Sequence, residues 1–198
     1  MYAKLMEKIE NKTAVLGVVG LGYVGLPLAV EKAKAGYIVK GFDVQEKKVD
    51  MVNSGHNYIG DVVDSDLKKI VDEGRLTAYA DFAHIHECDC VAICVPTPLD
   101  KYYQPDISYV ESSAKAVAEY SKPGMLVVLE STTYPGTTEE VIQPLFEAKG
   151  YTVGKDVFLA FSPERVDPGN KEYKTKKTPK VVGGVTPECT KLAAKLYG

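Results

Sequence analysis

The sequence has little of what marks a metal site, a disulfide scaffold, a membrane span or a nucleic-acid binder. Only three histidines and four cysteines occur in 198 residues. Cys88, Cys90, Cys94 and Cys189 follow neither a zinc-binding nor a disulfide-framework spacing. With no export signal, their thiols are expected to stay reduced. An excess of one charge is also missing. Lys and Arg number 24 against 27 Asp and Glu, for a net charge of -3 and a pI near 5.7. That excludes a nucleic-acid binder held by bulk electrostatics. Long apolar runs are absent too. Residues 1–12 carry Lys4, Glu7, Lys8 and Glu10, so no signal-peptide core fits there. The most apolar window, residues 15–30, is interrupted by Gly17, Gly20, Gly22 and Gly25 and is too short to span a bilayer. These features together read as cytoplasmic, with no membrane and no nucleic-acid partner. No internal repeat or low-complexity segment is found.

What is present is an ordinary globular composition, 45% hydrophobic and 26% charged. Leu5, Met6 and Ile9 stand at helical spacing and predict a short leading helix over 2–11. Apolar runs then predict strands at 14–19, 38–42, 76–79, 89–95, 125–129 and 157–161, with a last short one at 180–182. Between them, helices are predicted over 24–35, 45–53, 66–73, 106–120 and from 137 to 148, and another opens at Thr186-Pro187. Asp106 is expected to cap one of these helices, and Thr137 with Glu140 to form a capping box for another. Several strands are continuous apolar runs without alternation. Alternating with helices, they indicate a mostly parallel α/β sheet covered on both faces. The stretch 167–180, with Lys171, Lys174, Lys176, Lys177 and Lys180, reads as a solvated loop.

Chemistry is concentrated where strands end. Gly20-Leu21-Gly22-Tyr23-Val24-Gly25 follows the first long strand and opens a helix. In this pattern Gly20 makes the tight turn. Gly22 admits a pyrophosphate to the backbone, and Gly25 lets helix and strand pack closely. The helix N-terminus offers free N–H groups and a positive dipole. Asp43 ends the second strand 18 residues after Gly25. Its carboxylate can accept from both adenosine ribose hydroxyls and would repel a 2′-phosphate, which favours NAD over NADP. Lys48, one helical turn on, can reach the adenosine or stand on the surface. Val95-Pro96-Thr97-Pro98, the segment from Glu130 to Gly136, and Ser162-Pro163-Glu164-Arg165-Val166-Asp167-Pro168-Gly169 follow three further strands. Ligands of open α/β sheets bind beyond such ends. Glu164 can act as a general base or orient a water, and Arg165 can bind an anion or a sugar hydroxyl. Residue types alone also allow simple turn chemistry and a surface ion pair.

His84, His86, Cys88 and Cys90 alternate as zinc ligands on one strand face would. A helical turn over 81–87, with a strand beginning near Asp89, breaks that face, so no metal site is expected.

Taken in order, four of these segments resemble the UDP-glucose/GDP-mannose dehydrogenase family. They are Gly17-Val18-Val19-Gly20-Leu21-Gly22-Tyr23-Val24-Gly25-Leu26-Pro27, Val95-Pro96-Thr97-Pro98, Glu130-Ser131-Thr132-Thr133-Tyr134-Pro135-Gly136-Thr137-Thr138, and residues 162–170. The last two look most like the branch acting on UDP-N-acetylhexosamines. The resemblance implies a Rossmann-like, doubly wound sheet over 14–198, preceded by an extension over 1–13. It implies NAD as cofactor and a UDP-sugar substrate oxidised at C6 to the carboxylate with two NAD+. A downstream cysteine would carry the intermediate. Tyr23, Val24, Asp43, Lys48, Pro96, Thr97 and Thr132 would contact NAD. Glu164, Arg165 and Val166 would face the substrate, with Glu164 and Thr132 placing the hydrolytic water. The family's cysteine and lysine lie in middle helical and UDP-binding domains beyond residue 198, so the chain reads as a portion of a longer enzyme, dimeric or larger when whole. UDP-glucose as substrate, another two-domain dehydrogenase and a stand-alone NAD-binding module are the alternatives.

Overall fold

The computed structural model describes residues 1–164 and 179–198. Seven strands form one sheet: β1 Val15–Val19, β2 Ile38–Phe42, β3 Leu76–Tyr79, β4 Cys90–Ile93, β5 Leu126–Leu129, β6 Phe158–Phe161 and β7 Gly183–Gly184. Their order is β3-β2-β1-β4-β5-β6-β7, parallel except for β7. Leu16 lies between Val39 on one side and Cys90 on the other. Helices α1 (Tyr2–Glu10), α2 (Gly25–Lys34), α3 (Glu46–Asn53), α4 (Asp64–Asp72), α5 (Ser108–Glu119), α6 (Gln143–Glu147) and α7 (Pro187–Tyr197) complete the layers. The predicted doubly wound α/β sheet is the one observed.

Successive strand residues face opposite layers. Leu16, Val18, Cys90, Ala92, Leu126, Val128, Phe158 and Ala160 join the core under α1, α2 and α7. Val19, Val91, Ile93, Val127, Leu129 and Leu159 join the core with Val110, Val117 and Phe146 of α5 and α6. The N-terminal helix belongs to the first core. Leu5 and Ile9 are buried there. Ile9 O accepts from the Tyr37 hydroxyl at 2.9 Å, and Lys8 pairs with Asp89 at 2.7 Å.

Two local expectations are corrected. The last strand is Gly183–Gly184, beyond the β-branched residues of 180–182. A Cβ on Gly184 would stand 2.3 Å from the Thr190 amide, so only glycine lets the edge strand lie on the start of α7. The Thr137–Glu140 capping box does not form. Thr137 Oγ1 donates to Tyr134 O at 2.8 Å, and the chain enters α6 through a π-turn over Thr138–Ile142. Pro144 cannot donate to Glu140 O and its ring crowds that carbonyl, which widens the turn. Asp106 stands one residue before the N-cap, Ile107, rather than at it, and its Oδ1 accepts from Ser108 N, the first amide of α5, at 2.9 Å.

Candidate functional site

The chain winds from β1 through β2 to β3 on one side, then crosses to β4 and continues through β5 and β6 on the other. The turning point lies between β1 and β4. A crevice outside the carboxyl ends of the strands is expected there. The glycine loop occupies it. Gly20 has φ +90°, and a Cβ on it would meet Cys94 O at 2.8 Å. A Cβ on Gly25 would be 1.8 Å from Gly20 O, so the helix start and the strand end are in backbone contact. A Cβ on Gly22 would meet nothing within 4 Å. That open side, at the N-terminal end of α2, is where a phosphate can approach the backbone amides.

Asp43 stands at the end of β2 with only 6% of its surface exposed. Oδ2 accepts from Leu21 N at 3.0 Å and from Lys48 Nζ at 3.1 Å, and Oδ1 accepts from Gln45 N at 3.0 Å. The acid is therefore fastened to the glycine loop itself. Lys48 is its ion-pair partner, with its side chain partly exposed. Tyr58 adds a second fastening by donating to Leu21 O at 2.7 Å. Burial pushes the Tyr58 hydroxyl well above its ordinary range, so it stays a donor. Nothing in local sequence marked Tyr58, because it reaches the loop from 37 residues away.

The other rim loops follow along the sheet. Pro96 and Thr132 are exposed and Thr97 is half-buried. Ser131 Oγ donates to Val95 O at 2.7 Å, which ties the β4 and β5 loops together. Tyr23 is 68% exposed beside half-buried Val24. Glu164 lies past β6, with its side chain 15% exposed. Arg165 and Val166 lie outside the described residues, as does the lysine-rich stretch up to Thr178. Ser162 Oγ is fully buried and has no hydrogen-bond partner among the described residues. A cavity of about 370 Å³ opens beside Thr133–Glu139, Phe161 and Gly183–Val185. No glycine-loop residue lines it.

Lys180 departs from the expectation of a solvated lysine. Its side chain is 12% exposed and its ammonium forms a short ion pair with fully buried Glu130. The same ammonium is 3.7 Å from Glu164 and lies 5.3 Å from the centre of the Tyr197 ring. Tyr197 donates a short hydrogen bond to the other Glu130 oxygen.

The helical turn expected over 81–87 is present. Residues Phe82–Glu87 form a 3-10 helix, His84 Nδ1 pairs with Glu87 at 2.6 Å, and Cys88 and Cys90 are buried. Among the described residues no group of three or more His, Cys, Asp or Glu can hold a metal ion, and no helix is long and apolar enough to cross a membrane.

Known proteins are similar to this chain in sequence and in fold. UDP-N-acetyl-D-glucosamine 6-dehydrogenase of Pseudomonas aeruginosa is 36% identical over 187 residues, covering 94% of this chain and 43% of that protein. UDP-N-acetyl-D-mannosamine dehydrogenase of Escherichia coli K12 is 39% identical over 195 residues, with coverages of 93% and 45%. The crystal structure of NDP-N-acetyl-D-galactosaminuronic acid dehydrogenase from Methanosarcina mazei superposes with a TM-score of 0.87 at 35% identity, covering 97% of this chain and 44% of that one. The chain thus spans less than half the length of these relatives. Residues 14–198 match the profile of the UDP-glucose/GDP-mannose dehydrogenase family, NAD binding domain. By that match, the chain belongs to this family and carries its NAD-binding domain.

Proposed function

We propose that the chain is the NAD-binding portion of a UDP-sugar 6-dehydrogenase, which oxidises the C6 hydroxyl of a UDP-N-acetylhexosamine to the uronate with two NAD+. The observation that carries this is the distribution of acids along one rim. Asp43 stands at the β2 end, beside the loop that accepts the pyrophosphate. Glu164 stands beyond β6 at the opposite side of the crevice. Asp43 and Lys48 hold the adenosine, and Gly20, Gly22 and Gly25 cradle the phosphates. Tyr23, Val24, Pro96, Thr97 and Thr132 line the path towards the nicotinamide. Bound NAD+ supplies the hydride acceptor. The chain's own part is to fix where that acceptor lies and to keep Glu164 and Thr132 beside it. Glu164, with Arg165 and Val166, faces the sugar. The N-acetylhexosamine class is supported by the names of the similar proteins. A cytoplasmic location and a homodimeric or larger assembly of the whole enzyme complete the reading.

The test uses the complete dehydrogenase polypeptide with UDP-N-acetylglucosamine, UDP-N-acetylmannosamine and UDP-glucose, following NADH. An N-acetylhexosamine should yield two NADH per sugar. Absence of NADH with all three would overturn the reading. General-base assistance is worth roughly 10²–10⁴-fold, so Glu164→Gln should slow steady-state turnover by about that factor. If Glu164 serves the final hydrolysis, a burst of NADH should precede the slow phase. Unchanged turnover would remove Glu164 from the site.

A further inference from the structure

We propose that Lys180 is a positioning residue for Glu164. Held from below by Glu130 and Tyr197, its ammonium sets where the Glu164 carboxylate stands at the rim. The inference rests on the reading of Glu164 given above.

Glu130 continues the inward series Leu126, Val128 on β5, so its side chain enters the core under α2 and α7. A carboxylate there is tolerable only with full partnering. Lys180 meets one of its oxygens and the Tyr197 hydroxyl meets the other. Burial pushes the Tyr197 hydroxyl well up, and proximity to Glu130 adds to this, so it remains a donor. The Lys180 ammonium is thus fixed in depth and direction. It then faces Glu164 at 3.7 Å, too long for a hydrogen bond but within ion-pair distance. Burial alone would lower the ammonium's pKa, yet it is raised, chiefly by Glu130 with a share from Glu164. The charge therefore persists across the working pH range. Among the described residues, the other groups near it are the Cys94 thiol, pushed up by burial and neutral, and Lys32, whose ammonium is 4.9 Å from the centre of the same Tyr197 ring. Ser131, next to Glu130, ties the same anchor to the β4 loop. One buried carboxylate thus links the loops after β4, β5 and β6 to the end of α7. A lysine serving only to neutralise Glu130 would not need to present its charge to a rim carboxylate as well.

The test is a cycle of variants in the complete dehydrogenase. Lys180→Met leaves Glu130 buried without its cation and can unfold the protein. The double change Glu130→Gln with Lys180→Met removes both charges and keeps the packing. The double variant should fold and lose roughly 10- to 100-fold in kcat with little change in KM. Adding Glu164→Gln to it should cost nothing beyond the loss caused by Glu164→Gln alone, because residues acting as one unit are not additive. Multiplying losses would show that Lys180 does not act through Glu164 and would overturn the proposal. A wild-type rate for Glu164→Gln alone would instead overturn the reading of Glu164, and this inference with it. A readout independent of turnover uses the 198-residue chain. The side-chain ¹⁵N resonance of the Lys180 ammonium should be sharp and should move in Glu164→Gln. A resonance indifferent to that change would also overturn the proposal.

Discussion

Asp43 is a carboxylate whose orientation is set by its neighbours, and the proposed adenosine contact depends on that orientation. An ionised carboxylate offers about four lone-pair sites. Leu21 N, Gln45 N and Lys48 Nζ occupy three of them. The two amides fix the orientation of the carboxylate, while Lys48 neutralises part of its charge. These two roles predict opposite effects on cofactor choice. Asp43→Asn removes the charge that repels a 2′-phosphate, so the preference for NAD+ over NADP+ should shrink by about tenfold, roughly 1.4 kcal/mol. Lys48→Met leaves the acid less screened, so the preference should widen. Calorimetry on the 198-residue chain checks both. Equal affinity of the unchanged chain for the two cofactors would sink the argument. The glycines and Asp43 were legible because each obeys a local rule of strand, tight turn and acid at the next strand end. Lys48 was ambiguous because a lysine one turn along a helix is equally at home in solvent.

Lys32 of α2 makes the same point for an element. Its position on an amphipathic helix suggests a surface lysine, yet its stem runs under α7 to donate a short hydrogen bond to Leu196 O, with the ammonium 4.9 Å from the centre of the Tyr197 ring. A cation at a helix C-terminus is favourable. Burial nevertheless outweighs it and lowers the Lys32 pKa from its ordinary 10.5 to about 8. The sign of the pH effect follows from proton counts. Between about 8 and 10.5 the folded chain holds fewer protons at this site than the unfolded chain, so this site makes stability rise with pH across that window. Buried thiols and tyrosines with raised pKa values work the other way at the alkaline end. The clean measurement is therefore the difference between the wild-type chain and Lys32→Met in urea midpoints at pH 7 and pH 9.5. The wild type should gain on the variant as pH rises, and a difference independent of pH would refute it. Strand parity offered a partial signal for this cluster, since Leu126, Val128 and Glu130 share one face by simple alternation. What alternation cannot supply are the partners, Lys180 and Tyr197, which lie 50 and 67 residues further along the chain. The edge strand was misplaced for a related reason. Preference for β-branched residues pointed to 180–182, while contact with α7 demanded the glycines that follow.

The whole molecule has the surface of a self-contained domain. Its accessible area is 9974 Å², against about 9,200 Å² expected for a monomer of this mass. Both sheet faces carry their own core. The 198-residue chain should therefore fold alone with one cooperative thermal transition. The doubly wound order was legible from alternating apolar runs, because buried parallel strands must be apolar on both faces. Chemistry at the same scale is set by the cysteines. The family resemblance implies a nucleophilic thiol, which must ionise to react. All four thiols of this chain are buried. Desolvation pushes Cys88 up to about 12 and raises Cys90 and Cys94 as well. Cys189 sits at the base of α7 with its sulfur accepting from Leu159 N at 3.3 Å. Cys88, Cys90 and Cys94 are therefore held as thiols at neutral pH, and Cys189 is shut away from solvent. The folded chain should thus show almost no reaction with an aromatic disulfide reagent at pH 7.5, and four equivalents once unfolded in guanidinium. With the substrate-side machinery proposed to lie elsewhere in the enzyme, the chain should bind NAD+ yet release no NADH with any UDP-sugar. One fast-reacting thiol in the folded chain, together with NADH formation, would place the nucleophile within these 198 residues and refute the assignment of chemistry to a separate substrate-binding half.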